Sequence, residues 1–82
     1  MSVAARPLTA LKAGESGVVT EILVPAETRP RLMEMGLLVG TSLELIRFAP
    51  LGDPIEVKVR GYHLTLRRSE AEQILVSPSS RA

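Results

Sequence analysis

The sequence predicts an all-β fold: a small closed or partly open barrel of about five short strands, with one or two short helices. Three observations carry that expectation. From Pro54 to Arg67, apolar and charged side chains alternate on either side of a glycine, which is the period of a half-buried hairpin. Two further β-branched and aliphatic runs, Gly14 to Pro25 and Thr41 to Phe48, are bounded by Gly and Pro, the residues that interrupt ladders. Helical material is confined to short stretches of about two turns or fewer.

The first strand is expected from about Gly17 to Val24, ended by Pro25, which has no N–H to give a ladder. The second, entered through Gly40, covers Thr41 to Phe48, and its alternation breaks near Leu45-Ile46, where a bulge fits. Ile55, Val57 and Val59 then alternate with Glu56, Lys58 and Arg60, and Leu64 and Leu66 with His63, Thr65 and Arg67. With Gly61-Tyr62 as a two-residue loop, Val59 faces Leu64, Val57 faces Leu66 and Glu56 faces Arg67. Glycine at the first loop position suits a type II′ turn, and apolar alternation and cross-strand charge agree with that register.

A short helix is expected over Pro30 to Met35, with Gly36 as its left-handed cap. Leu32 and Met35, three residues apart, share its core face, which leaves Met33 exposed to a partner. A second turn is expected over Ser69 to Gln73, with Ser69 as N-cap and Glu70 and Glu72 near its positive end. Ile74 to Val76 then forms a last short strand.

With 82 residues, the chain is read as one domain. Surface scaling removes about 8,000 Å² from water on folding, a thin but sufficient core. Phe48 and Tyr62 are the only aromatics and there is no cysteine, so the core is aliphatic and unstapled by disulfides. The domain is placed at residues 7–76, between flexible termini at 1–6 and 77–82 that lack an apolar period.

Composition also narrows function. Ten basic and nine acidic residues give a net charge of +1, far from the balance that phosphate-backbone binding needs. With so few aromatics to stack bases, no nucleic-acid partner is expected. No apolar run approaches the ~20 residues of a membrane span or the ~7 of a signal core, so the expectation is a cytoplasmic protein without direct membrane insertion. One histidine, one aspartate and no cysteine assemble no catalytic triad, and the chain is read as a non-enzyme. Gly36 to Gly40 lacks the lysine and hydroxyl residue of a phosphate-binding loop.

His63 beside Glu56 is the candidate metal pair, on the surface or between chains, because a mononuclear site needs three or four ligands. No cofactor is required; a divalent metal, iron or zinc, adventitious or regulatory, is the ligand to test. Arginine supplies eight of the ten cations and is preferred where carboxylates are gripped at interfaces.

Three segments taken in order, RLMEMGL at Arg31 to Leu37, PLGDP at Pro50 to Pro54 and LRRSEA at Leu66 to Ala71, resemble the FeoA family of bacterial ferrous iron transport. The resemblance covers Pro7 to Val76. It implies an SH3-like β-barrel and an accessory or regulatory protein with no catalytic residues. It also implies a partner: FeoB, a membrane permease with a cytoplasmic G-protein domain. The residues expected to touch that partner are Arg31, Met33, Leu51, Asp53 and Arg67, and a weak homodimer stays among the admissible assemblies. Too few aromatics are present for polyproline docking. The competing expectation is a metal- or ligand-sensing module, because similar SH3-like domains form the C-terminal part of DtxR-type iron-dependent repressors.

Overall fold

The computed structural model describes residues 5–79. Strand β1 is Arg6–Pro7, followed by a 3₁₀ turn at Leu8–Ala10. Strand β2 is Ser16–Ile22, helix α1 Arg29–Glu34, β3 Ser42–Phe48, β4 Ile55–Val59, β5 Tyr62–Leu66, helix α2 Arg68–Ala71 and β6 Ile74–Ser79. The six strands form one antiparallel sheet in the order β1-β6-β2-β3-β4-β5. It curls as an SH3-like barrel without strict closure, since β1 and β5 remain its two edges.

Both ends run further than the limits of 7 and 76. Arg6 pairs with Val76, and Ser77–Ser79 pair with Val18, Gly17 and Ser16 of β2. Backbone pairing needs no apolar side chain, which is why hydrophobic period does not reveal these rungs. The rest of the expected flexible termini, residues 1–4 and 80–82, lies outside the described residues.

The interior is aliphatic throughout. Leu8, Leu32, Leu37, Leu45, Ile55 and Leu66 are among its fully buried side chains, and Met35, Phe48 and Leu64 pack on it from the margin. The expected bulge in β3 is present: the β3–β4 register shifts between Leu45 and Arg47. The extra residue, Ile46, reverses the parity of the strand. Phe48 turns toward the core and Arg47 toward solvent, opposite Glu56.

The hairpin loop is displaced from its expected place. It is Arg60-Gly61, with φ of 52° and 90°, and two left-handed residues define a type I′ turn. Val59 then faces Tyr62, Val57 faces Leu64 and Ile55 faces Leu66. The expected II′ register would set Ile55 against Arg68. The observed one gives every inward residue of β4 a non-charged neighbour, while a shift of two keeps each side chain on its face. The Glu56–Arg67 pairing is lost, and Glu56 faces Thr65 instead.

Helix α1 ends in a double closure: the Gly36 N–H donates to the Met33 carbonyl at 3.0 Å and the Leu37 N–H to the Leu32 carbonyl at 3.0 Å. Gly36 adopts φ +91° and Leu32 and Leu37 are both buried, so bonds and apolar contact together form a Schellman motif. Ser69 does not cap α2. Arg67 holds the N-cap position, and Glu70 accepts a hydrogen bond from the Arg67 N–H at 3.2 Å, so the acidic residue at N3 closes the helix start.

A methyl group at Gly36 would lie 2.5 Å from the Tyr62 hydroxyl oxygen, whereas one at Gly40 would meet nothing within 4 Å, at a similar φ of +93°. Gly40→Ala therefore costs only the left-handed backbone, about 1 kcal/mol, and Gly36→Ala adds a clash, for a total of about 2–3 kcal/mol. Urea midpoints of the two variants measure the difference.

Candidate functional site

The expected partner residues are distributed around α1. Arg31 and Arg67 line one cleft of about 510 Å³, together with Thr28, Pro54, Thr65 and Glu70. Arg29 and Met33, one turn apart, line a second, apolar groove of about 320 Å³ with Ile22, Leu38 and Val39. Successive helical residues point about 100° apart, so Arg31 and Met33 face different clefts on the two sides of this short helix.

Within the cleft, Glu70 is the organising residue. Its side chain is only 13% exposed. One oxygen accepts from the Arg67 N–H and the other from Nη2 of Arg31, tying α1 to α2. Among the described residues, the Arg67 guanidinium has no carboxylate within 4.0 Å. The cleft thus gathers two guanidiniums and two carboxylates, Glu27 and Glu70, of which Glu70 is tied to Arg31. Glu70 was not among the expected contacts; the signal for it is its place three residues after the α2 cap.

Leu51 and Asp53 lie in the loop that borders the cleft through Pro54. The Gly52 N–H donates to Ala49 at 2.7 Å and the Ala49 N–H to Pro54 at 3.0 Å. Asp53 accepts from the Arg68 N–H at 3.0 Å and the Gly52 carbonyl from Arg68 Nη1 at 3.3 Å. The Asp53-Pro54 peptide is cis. Asp53 is therefore a brace for the loop, and Leu51, 95% exposed, is the group held outward. Met33 is 49% exposed, as its helical position requires.

His63 and Glu56 do meet, with Nδ1 3.0 Å from Oε2, but both Glu56 oxygens are engaged. Arg47 Nε donates to Oε1 at 3.1 Å. Glu56 thus orients the imidazole through Nδ1, on a side chain that is about half exposed. Among the described residues, no group of three His, Cys, Asp or Glu side chains could hold a metal ion. The hydrogen bond from Arg47 holds the Glu56 carboxyl below its ordinary value of 4.5; partial burial opposes it and His63 adds to it.

No helix among the described residues is long and apolar enough to cross a membrane. A family model described as the FeoA domain matches residues 6–78. The solution structure of the FeoA protein from Chlorobium tepidum superposes with a TM-score of 0.86 at 47% identity, covering 93% of this chain and 72% of that one. A curated relative from Porphyromonas gingivalis, a fusion of Fe(2+) transport protein A with the Fe(2+) transporter FeoB, is 32% identical over 69 residues. That match covers 84% of this chain and 8% of the fusion. A manganese-dependent transcriptional repressor, in complex with manganese, shares the fold with a TM-score of 0.86 at 21% identity, over 95% of this chain and 38% of the repressor.

The Glu56 shift has a definite sign. Because folding favours the ionised carboxylate, its contribution is fully present above pH 4.5 and is lost as pH falls through the lowered native value. Glu56→Gln is expected to flatten the stability profile below that pH, as read by urea unfolding at a series of pH values.

Proposed function

We propose, because the chain belongs to the FeoA family of ferrous iron transport proteins, that it is a non-enzymatic accessory protein that docks on the cytoplasmic part of a FeoB permease. The observation that supports this most directly is the Porphyromonas gingivalis fusion, in which a segment similar to this chain and a FeoB transporter share one polypeptide. Covalent linkage raises the local concentration of two modules to roughly millimolar, an arrangement that serves partners with a weak contact.

Chemistry supports docking in the same direction. The cleft offers an unanswered guanidinium at Arg67 and a half-used one at Arg31, suited to carboxylates on a partner. Beside it, the loop holds Leu51 outward at little further ordering cost, and preordered apolar anchors carry a large share of binding energy at interfaces. Met33 supplies an adaptable apolar contact on the far side of α1.

Leu51→Asp and Arg67→Glu are expected to weaken co-purification with the cytoplasmic part of FeoB roughly tenfold each, with thermal unfolding unchanged. Met33→Asp reports separately on the groove. Folded variants at all three positions that bind fully would sink this assignment of the contact.

A further inference from the structure

A third cleft, of about 360 Å³, opens where the β4–β5 turn approaches the start of β3. Lys58 and Arg60 line it with Ser16, Ser42 and Glu44. The two cations are two residues apart and exposed, with the fully buried Val59 between them. Glu44 stands opposite Lys58 in the β3–β4 register. Even so, among the described residues neither cation has a carboxylate within 4.0 Å. Gly40 and Gly61 border the same space, and a Cβ at either would meet nothing within 4 Å. The backbone there is open to close approach.

Arg60 is out of place by turn chemistry alone. The first position of a type I′ turn needs positive φ, which favours Asn, Asp or Gly, yet an arginine sits there at φ 52°. Its presence sets a second cation beside Lys58, and the like charges repel unless something answers them. A residue kept against local backbone preference, with no internal partner, points to a ligand.

We propose that this cleft binds a hydrogen-phosphate oxyanion. The arginine fork and the lysine ammonium reach separate oxygens, and the Ser16 and Ser42 hydroxyls supply two further donors. A carboxylate, with only two oxygens, would leave donors unused. Glu44 supplies the selectivity, because it accepts the hydroxyl proton of hydrogen phosphate and repels sulfate, which at neutral pH has none to give.

The test is backbone amide NMR of the intact chain at pH 7 and constant ionic strength, titrated with inorganic phosphate, sulfate or chloride. Phosphate is expected to shift residues 40–44 and 58–61 saturably, with sulfate roughly tenfold weaker. Arg60→Asn suits the turn and so keeps the fold, and it is expected to weaken phosphate binding roughly tenfold. Glu44→Gln is expected to narrow the preference over sulfate. A parallel titration with ADP separates the free ion from a nucleotide's terminal phosphate by which binds more tightly. Shifts that rise without saturation and are matched by chloride, or an Arg60→Asn variant that binds phosphate as tightly as the parent chain, overturn the site.

Discussion

The seating of α1 is the constraint from which the rest of the surface follows. Six helical residues lie far below the ~12–15 that a helix needs to persist alone, so α1 exists because Leu32 and Leu37 are buried in the barrel. Gly36 permits the chain to reverse between them. Once those two leucines are fixed, rotation of the helix is fixed, and with it the separation of Arg31 from Met33. Tyr62 secures the same corner, its hydroxyl donating to the Met35 carbonyl. The β4–β5 hairpin and the helix end are thereby held as one unit.

Charge on this molecule divides into ties and free groups. The ties are Arg31–Glu70, Arg47–Glu56–His63 and Arg68–Glu72. Exposed pairs of this kind contribute little stability singly, at most about 1 kcal/mol, and their value is positional: they orient a helix, an imidazole and a loop. Arg67, Lys58 and Arg60 have no such employment among the described residues. On a near-neutral chain, unpaired cations raise the potential at particular places rather than along a broad basic surface.

Much of the fold was legible because it rests on local rules. The aliphatic core, the β3 bulge and the α1 closure at Gly36 follow from composition, broken alternation and the left-handed need of a helix end. The hairpin register was not legible from the loop alone, since Gly61 fits the second position of one turn as well as the first of another. Only Ile55, which needs Leu66 rather than Arg68 across from it, decides between them. The sequence names candidate residues but not how they are arranged. Arg31 of α1 reaches Glu70 of α2, whose other oxygen accepts from the backbone N–H of Arg67 at that helix's start, and Asp53 serves its own loop through Arg68. Contacts between residues 15 and 39 positions apart leave no trace in local pattern.

Rigidity distinguishes Leu51 from the other exposed apolar groups. Met33 carries three rotatable side-chain bonds and adapts to what it meets. Leu51 stands between Pro50 and a glycine whose N–H and carbonyl are both bonded, in a loop braced again through Asp53. Ordering a loop on binding offsets part of the gain from each new contact, and the hydrogen bonds of Gly52 and Asp53 brace this loop within the chain itself. A small barrel with a thin core can maintain such a loop only by anchoring it to a helix start, which α2 supplies through the Arg68 backbone and guanidinium. The short second helix thus has two duties: it presents Arg67 to the cleft and it stiffens the neighbouring loop. Any change that frays α2 loosens both together.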